Sequence, residues 1–470
     1  MIDHKKVLIN SGIAIFAQTV SLVASVLTTL IVPKILGVEH FGYWQLFVFY
    51  STYVGFFHLG LVDGVYLING GVTRDKLDKG KIKAQFEFSL TYECFFAVVI
   101  ALVGLFGPFE LDRRFVICWT ALFLVLSNAW YFFGYLFQAI NEPNIYSMSS
   151  MLDRFVFIVA LIFLLIFHDG DYNHYVLATI VARVVAVAYC LFRGSDILKA
   201  KSVGIRNVVP VSLKEMRAGI KLTLASVTGM LVVGIVRIAI DAKWGIEAFS
   251  KVSLSISLAN FVLLFVQQVS MVLFPALRQA DAEEVSSTYI SIQKSIDSIA
   301  PYVFLVYLPL KLFVNYWLPA YSESMRYFIL LMPVCVFDAK MEMCCTTIFK
   351  VQRKESLLLK INAATVLACA CFVAIGTMAL GSIELSLMGM VAAVILRSLV
   401  SEKIVSTSFG VDSLKSTGVT VVECMGLSVT LFLFPGIPGA IITLAIIVAH
   451  TIVFHRQLAD TGSRIKSLVK

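Results

Sequence analysis

Long apolar segments recur along the whole chain, and this feature constrains the fold more than any other. They begin near Val7 and continue to about residue 455, separated by short polar segments. Each is close to the ~20 residues that an α-helix needs to cross about 30 Å of hydrocarbon. None alternates apolar and polar residues as the strands of a membrane β-barrel do. The sequence therefore predicts an all-α protein that spans a membrane many times.

We predict fourteen membrane helices. The first follows His4-Lys5-Lys6 directly and is too long for the apolar core of a signal peptide, so we interpret it as an uncleaved span. The predicted helices, numbered 1 to 14, cover residues 7–32, 42–68, 85–106, 114–137, 150–168, 174–193, 217–240, 246–273, 295–318, 323–349, 356–378, 384–405, 417–434 and 437–455.

Composition agrees with a membrane protein. Of the 470 residues, 59% are hydrophobic and only 14% are charged, whereas a soluble domain has about 25% charged residues. The nine cysteines lie mostly inside apolar segments, and none has CxxC spacing. We therefore interpret them as small buried residues rather than disulfides or metal ligands, and we expect no cofactor.

The distribution of basic residues predicts the orientation in the membrane. With the N-terminus in the cytoplasm, 26 Lys and Arg residues fall in cytoplasmic segments and five in outer loops. This bias predicts a bacterial inner-membrane protein with both termini in the cytoplasm. It also accounts for the net charge of +8, so we expect no nucleic-acid partner.

A basic segment at 194–216 divides the predicted helices into two groups. We predict an N-terminal lobe at 1–193 with helices 1 to 6, a cytoplasmic linker at 194–216, and a C-terminal lobe at 217–405 with helices 7 to 12. Residues 406–470 hold the last two helices and a cytoplasmic tail. Parallel repeats with a binding site between them are a transporter architecture.

Two sequence echoes indicate that the two lobes are repeats. The sequence Gly37-Val38-Glu39-His40-Phe41-Gly42 recurs as Gly245-Ile246-Glu247-Ala248-Phe249-Ser250, after an offset of 208 residues. Phe137-Gln138-Ala139 recurs as Phe349-Lys350-Val351, after an offset of 212 residues. The nearly constant offset predicts two pseudo-symmetric lobes of six helices.

Several short motifs, in order along nearly the whole chain, resemble those of a known family, the Wzx-type polysaccharide or O-antigen unit flippases of the multidrug/oligosaccharidyl-lipid/polysaccharide (MOP) exporter superfamily. The motifs are Leu36-Gly37-Val38-Glu39-His40-Phe41-Gly42-Tyr43-Trp44, Leu59-Gly60-Leu61-Val62-Asp63-Gly64, Phe137-Gln138-Ala139-Ile140-Asn141, Leu273-Phe274-Pro275-Ala276-Leu277 and Tyr316-Trp317-Leu318-Pro319-Ala320-Tyr321.

The resemblance implies a function in lipopolysaccharide or other surface-polysaccharide biosynthesis. The substrate would be an undecaprenyl-diphosphate-linked oligosaccharide, moved by alternating access from the cytoplasmic to the periplasmic leaflet. Its partners would be membrane lipid, a proton or sodium gradient, and the polysaccharide polymerase machinery. A drug or cation exporter of the same superfamily is the alternative.

Charged residues inside the predicted helices are the candidates for function, because a charge at mid-bilayer costs roughly 2.5–3.5 kcal/mol and normally faces a cavity or a partner. Arg183 and Arg397 lie midway along helices 6 and 12, without a suitably placed acidic residue on their own helices. We expect two unpaired guanidinium groups that bind diphosphate. The alternative is that each pairs with an acid on another helix.

Other charged residues inside the predicted helices are weaker candidates for function. Arg237 is a further candidate for binding substrate, although Asp241 at i+4 offers an intrahelical pair. In helix 10, Lys340 points about 200° away from Asp338. Lys340 is a candidate cation for binding substrate, and Asp338 and Glu93 are candidate ion-coupling residues. The alternative for the charged residues of helix 10 is a polar cluster that packs the helices together.

The sequence does not favour an enzyme. All predicted outer loops are short, and no Walker A, GxSxG or HExxH pattern is present. The one DxD sequence, Asp169-Gly170-Asp171, lies between His168 and His174 and could bind a metal, but it also fits a solvated turn. We prefer the turn and assign no catalytic or metal site, which leaves a membrane glycosyltransferase or polymerase as the third possibility.

Overall fold

The structure is a computed structural model, and it describes residues 22–279, 281–411 and 414–469. Throughout this part of the chain the regular structure is helical, and no strand is present. The main helices are α1 (Val32–Ser51), α2 (Leu61–Ile68), α3 (Lys79–Phe106), α4 (Leu111–Ala139), α5 (Pro143–Ile166), α6 (Tyr172–Arg193), α7 (Ile205–Gln279), α8 (Ala282–Ile299), α9 (Tyr307–Trp317), α10 (Ser324–Lys340), α11 (Glu355–Ala374), α12 (Ile383–Ser408), α13 (Leu414–Leu433) and α14 (Ile437–Val469).

Short helical turns extend several of these helices. π-Helical turns occupy Leu27–Ile31, Met341–Thr346 and Ile375–Ala379, and 3₁₀ turns occupy Val54–His58, Ala300–Val306 and Pro319–Tyr321. Within the described residues, eleven segments are long and apolar enough to cross a membrane. A multi-pass membrane protein is thus confirmed, while the fourteen-helix layout stays a prediction. One of the eleven, Ile205–Leu264, covers most of the two predicted helices 7 and 8.

Glycine interrupts α1 and α7 at equivalent positions. Gly37 has φ 71° and ψ −177°, and Gly245 has φ 79° and ψ −171°. This region of backbone space is accessible essentially only to glycine. The two glycines begin the first sequence echo, so the two repeated sequences share an unusual backbone conformation as well as residues.

The second sequence echo also repeats in the structure. Helix α4 ends at Ala139, and the one-turn helix Thr347–Val351 ends at the equivalent position. Two residues later, Asn141 and Arg353 have φ of 63° and 55°. The next amide in each copy donates to the carbonyl of the echo phenylalanine, at 2.8 Å in both. This is the left-handed C-terminal cap that closes many α-helices.

Contacts divide the chain into two compact units, one up to Val227 and the other from Thr228. The segment 194–216, which we predict as a linker, lies inside the first unit. It contains the one-turn helix Ser195–Leu198 and the first residues of α7. The proposed lobe boundaries therefore differ from the division by contacts, and the six-helix lobes stay a prediction.

The N-terminal unit has a core rich in aromatic residues. Phe86 packs against the rings of Phe132 and Phe133, with ring centroids 5.3 and 4.9 Å apart. Further buried members come from α2, α4 and α6, and they are Leu61, Val62, Val65, Trp130, Leu136, Phe137, Ala186 and Cys190. These side chains hold α4 at the centre of the unit, where it contacts α3, α5 and α6.

The beginning of α7 packs closely on α2 through glycines. A Cβ atom at Gly64 would lie 2.2 Å from the carbonyl oxygen of Glu215, and one at Gly219 would lie 2.1 Å from that of Gly60. Both positions therefore exclude any larger side chain unless the backbone moves. The close approach buries Glu215, whose carboxylate accepts a hydrogen bond from Lys81 Nζ at 2.7 Å.

Arg74 joins three segments at one end of the N-terminal unit. Its guanidinium contacts Glu142 Oε2 at 2.5 Å and Asp196 Oδ1 at 2.6 Å, and Lys79 lies 2.8 Å from Asp196 Oδ2. The hydrogen bonds from Arg74, supplemented by Lys79, hold the pKa of Asp196 well below its usual range. This network connects the loops that precede α3, α5 and α7.

The C-terminal unit has its own core between α8, the segment 341–351 and α12. Tyr289 packs against Phe409 with ring centroids 5.5 Å apart and the rings tilted by 36°. Other buried members are Leu277, Met341, Cys344, Cys345, Ile348, Phe349 and Val405. Both units also carry apolar side chains on their surfaces, such as Phe106, Phe167 and Ile452, each more than 65% exposed. Such surfaces are expected of helices that face lipid.

Candidate functional site

Arg183 on α6 has an acidic partner on the neighbouring helix. Its Nε lies 3.2 Å from Oδ1 of Asp153 on α5, and its Nη2 lies 3.3 Å from Oδ2. The predicted unpaired guanidinium is therefore wrong at this position. The sequence suggested it because α6 itself carries no acid near Arg183, but the partner is 30 residues away along the chain.

Aromatic rings fix the same guanidinium from the side of α4. The central carbon of the group is 4.2 Å from the ring centroid of Trp130 and 5.1 Å from that of Phe123. The Trp130 indole is itself held by a hydrogen bond of 3.0 Å from Nε1 to Ser149 Oγ. A cation over a tryptophan face is attracted by the ring quadrupole, so Arg183 has a defined orientation.

Part of the hydrogen-bonding capacity of Arg183 is unused. Its Nη1 atom is buried and has no hydrogen-bond partner among the residues that the structure describes, whereas Nε lies 3.2 Å from Asp153 Oδ1 without the geometry of a hydrogen bond. Buried donors are normally satisfied. The ion pair with Asp153 therefore leaves the donors of Arg183 only partly satisfied.

Arg397 on α12 also has a partner, which comes from a different helix of its unit. Its Nη2 donates to Oδ1 of Asp338 on α10 in a short hydrogen bond. The predicted unpaired charge is wrong here too, since 59 residues separate the partners. Asp338, our candidate for ion coupling, is thereby engaged with an arginine. The side chains of both residues remain partly accessible, Asp338 more than Arg397.

Lys340 is fully buried in a second polar cluster of the C-terminal unit. Its Nζ lies 2.7 Å from Asp297 Oδ1, 3.2 Å from Glu402 Oε2 and 2.9 Å from Thr417 Oγ1. The ammonium group donates hydrogen bonds to Asp297 and Thr417 and forms an ion pair with Glu402. The three helices α8, α12 and α13 thus meet at one lysine of α10.

The carboxylates around Lys340 are held by other donors as well. Asp297 accepts from Ser416 and Thr420 at 2.7 and 2.8 Å, and Glu402 accepts from Gln293 at 2.6 Å. The arrangement matches the packing cluster that we considered as the alternative for helix 10. Lys340 is fully buried within it and is not accessible to a substrate in this conformation.

Arg237 and Glu93 lie in separate surroundings. Arg237 donates from Nη2 to Ser253 Oγ at 2.9 Å, and its guanidinium lies 4.8 Å from the ring centroid of Phe249. It therefore connects the two parts of α7 across Gly245. Glu93 is fully buried in α3, where Oε1 accepts from Ser89 at 2.6 Å. Its Oε2 has no partner within the described ranges.

The DxD sequence forms the cap of a helix. Asp171 Oδ1 accepts from the backbone amide of Asn173 at 2.9 Å and so caps α6. Asp169 accepts from the amide of Asp171 and lies 2.7 Å from His174 Nδ1. These contacts are those of a turn that starts a helix, which is the interpretation that we preferred.

A third polar group involves residues that the sequence analysis did not select. His450 on α14 is buried, with Nδ1 3.0 Å from Glu423 Oε1 on α13 and Nε2 3.1 Å from the carbonyl oxygen of Ser298. Beside it is a cavity of about 240 Å³ that is also lined by Asp297. The signal in the sequence is a histidine within an apolar span, since polar groups at membrane depth are usually functional.

Comparison with known proteins identifies the fold. No family model and no curated protein sequence matches the chain. The structure is similar to that of the lipid II flippase MurJ in an inward closed conformation, with TM-score 0.66, 11% identity, and coverage of 96% of this chain and 100% of that chain.

Two further solved structures belong to the same superfamily. An inward-facing multidrug resistance MATE family transporter of the MOP superfamily gives TM-score 0.63 at 14% identity, covering 84% of this chain and 96% of that one. A MOP superfamily transporter from Pyrococcus furiosus, described as having a binding pocket of reverse polarity, gives TM-score 0.51 at 14% identity, with coverage of 86% and 94%. These neighbours are transporters and flippases rather than enzymes. The chain therefore has the fold of the MOP-superfamily transporters.

Proposed function

We propose that this protein is a flippase that moves a lipid-diphosphate-linked oligosaccharide from the cytoplasmic to the periplasmic leaflet of a bacterial inner membrane. The observation that carries the proposal is the extent of the structural likeness. The likeness to the lipid II flippase covers 96% of this chain, whereas the two transporters above cover 84% and 86%. The greater coverage supports a flippase, because more of this chain has a structural counterpart in the lipid II flippase than in either transporter.

Arg183 and Arg397 are the proposed ligands of the diphosphate. A guanidinium stays charged and can donate to phosphate oxygens in bidentate fashion. Arg183 has one buried donor, Nη1, without a partner in the described chain, and it is already oriented by Trp130. Asp153 and Asp338 then act as internal anions that hold the arginines until a diphosphate replaces them. Arg237 is a weaker candidate because it bonds to Ser253.

The second candidate function is ion-coupled export of a drug or organic cation. Two kinds of observation favour it. Similar solved structures include multidrug transporters, and Glu93 supplies a buried carboxylate with one oxygen that has no partner among the described residues. In this reading Glu93 and Asp338 bind a cation, and the arginines are structural.

A leaflet assay distinguishes flipping from export. The purified protein in liposomes receives a fluorescent undecaprenyl-diphosphate oligosaccharide in one leaflet, and quenching reports its transfer to the other. We expect wild-type protein to accelerate the transfer and not the efflux of a cationic dye. Dye efflux without lipid transfer would instead establish the exporter and refute the flippase.

The arginine hypothesis is tested by breaking the Arg183–Asp153 pair from each side. If Arg183 binds the diphosphate, Arg183→Ala abolishes transfer, whereas Asp153→Asn leaves the guanidinium in place and retains transfer. Arg154→Ala is the matched control, because Arg154 is the exposed neighbour of Asp153. Equal loss of transfer and of folded protein in Arg183→Ala and Asp153→Asn would show that the pair only stabilises the fold.

A further inference from the structure

His450 faces hydrogen-bond acceptors at both ring nitrogens. The carbonyl oxygen of Ser298 can only accept, so Nε2 must carry a hydrogen. A neutral imidazole then has no hydrogen left at Nδ1, which lies 3.0 Å from the Glu423 carboxyl. The contact therefore requires one additional proton, carried either by the ring or by Glu423.

The ring cannot avoid this requirement by turning over. A flip would place carbon atoms opposite both acceptors and would lose both hydrogen bonds. The ring is also confined by Phe454, stacked at a centroid distance of 4.6 Å, and by Tyr302, edge-on at 6.2 Å. The carbonyl of Ser298 is a suitable acceptor because the 3₁₀ turn that follows would pair it with residue 301, a proline without an N–H group.

The additional proton lies beside a cavity that is large enough for water. The cavity of about 240 Å³ is lined by Asp297, Lys415, Ser416, Val419, Thr420, Glu423, His450 and Phe454. Since a water molecule occupies about 30 Å³ in the liquid, this space has room for roughly eight of them. His450 and Glu423 both line the cavity, so a proton can leave the pair to water and return.

The charges that line the cavity balance when this proton is bound. The ionisable groups on the elements packed against α14 are Glu283, Glu284, Tyr289, Lys294 and Asp297 on α8, Tyr302 on the turn after it, and Lys415, Glu423 and Cys424 on α13, with Lys340 and Glu402 in contact with Asp297 behind them. Of these, only the two carboxyl groups of Asp297 and Glu423 and the ammonium group of Lys415 line the cavity with His450. One proton shared by His450 and Glu423 offsets the second carboxylate, which avoids the cost of a buried net charge.

We propose that His450 and Glu423 form an exchangeable proton-binding site in the C-terminal unit, and that this site couples transport to a proton gradient. The coupling rests on the transport function proposed above, whereas the binding of the proton does not. Release of the proton to cavity water leaves an ionised Glu423 on the same cavity as the ionised Asp297. The resulting repulsion acts between α13 and α8, which both contact α14.

The test for the bound proton is spectroscopy on the purified full-length protein in lipid nanodiscs. With ¹⁵N-labelled histidine, NMR should show one imidazole that is protonated at both nitrogens at neutral pH, and His450→Gln should remove this signal. If Glu423 carries the proton, infrared spectroscopy should instead show a carboxylic acid band that is absent in Glu423→Gln. The matched control is His455→Gln, since His455 lies one and a half turns further along α14 and is exposed.

The outcomes separate binding from coupling. Absence of both signals from folded wild-type protein would overturn the proton site. If a signal is present, the liposome assay is repeated with and without a proton gradient. We expect the gradient to accelerate lipid transfer several-fold in wild-type and His455→Gln protein. In His450→Gln and Glu423→Gln, the gradient should leave the rate of transfer unchanged. Acceleration of both site variants would overturn the coupling. A protein that flips no lipid would refute the transport function while the spectra still decide the proton site.

Discussion

Replacing Lys340 with methionine tests whether this lysine stabilises the fold or binds substrate. Methionine keeps a long unbranched side chain but removes the charge and the three donors. In the wild type, the Lys340 ammonium lies 2.7 Å from Asp297 and 3.2 Å from Glu402, and its side chain is 1% exposed. Lys340→Met therefore leaves two carboxylates together in the membrane interior without their cation.

The size of the effect follows from this geometry. Removing one partner of a buried ion pair costs about 3–5 kcal/mol. Protonation limits the loss, because neutralising one carboxyl group with an ordinary pKa of about 4 costs about 4 kcal/mol at pH 7. We expect Lys340→Met to lower the free energy of unfolding by about 4 kcal/mol at pH 7. At pH 5 the same protonation costs only about 1.4 kcal/mol, so the loss should shrink by about 2.7 kcal/mol.

Chemical unfolding in mixed detergent micelles, followed by tryptophan fluorescence, measures the effect at both pH values. Lys350→Met is the matched control, because Lys350 is exposed and its loss should change stability by no more than about 0.5 kcal/mol. Adding Asp297→Asn to Lys340→Met should restore part of the loss, as expected for residues in contact. A Lys340→Met protein of wild-type stability that no longer transports would refute our reasoning and restore Lys340 as a substrate ligand.

Three smaller predictions concern the backbone and the surface, and unfolding measurements check all of them. Gly219→Ala should cost about 1–3 kcal/mol because its Cβ would meet a carbonyl oxygen at 2.1 Å, whereas Gly229→Ala, with open space around it, should gain up to about 1 kcal/mol. Gly37→Ala and Gly245→Ala should each cost about 1–3 kcal/mol from backbone strain alone. Asp196→Asn should cost less than about 1 kcal/mol. The difference in free energy of unfolding between Asp196→Asn and wild type should be constant above pH ~5. It should vanish as the pH falls, since the folded-state pKa of Asp196 is depressed. Equal effects of Gly219→Ala and Gly229→Ala, or a difference for Asp196→Asn that grows in acid, would contradict these assignments.

Much of the fold was predictable because hydrophobic length and glycine act locally. Apolar length located the membrane helices, and the echo around Gly37 and Gly245 located two breaks with the same backbone conformation. The extent of α7 was not predictable. Its first residues are polar and basic, which is typical of a linker, but they are helical in the structure, where Gly64 and Gly219 let α7 approach α2 closely.

The sequence marked the charged residues inside the apolar helices but could not identify their partners. Arg183, Lys340 and Arg397 bind acids that are 30, 43 and 59 residues away, whereas the sequence pattern relates residues only within a turn or so of one helix. Because each partner lies on another helix, the sequence alone indicated an unpaired cation where the structure has a paired one. His450 was overlooked for a different reason, because a single histidine in an apolar span has no spacing pattern to mark it.

The two units share the backbone conformation of two short echoes but differ in the chemistry around their arginines. Arg183 pairs with an acid on α5 and Arg397 with one on α10. A tight glycine turn restricts the residue that occupies it, whereas an ion pair can form from any helix that faces the arginine. The N-terminal unit surrounds its arginine with aromatic rings and leaves the buried Nη1 of Arg183 without a hydrogen-bond partner in the described chain. The C-terminal unit instead places a lysine, two carboxylates and a histidine around one cavity. Our two proposals assign binding of the substrate headgroup to the first kind of site and binding of the proton to the second. Loss of Arg183 should therefore remove transport altogether, whereas loss of His450 should remove only the dependence of transport on a proton gradient.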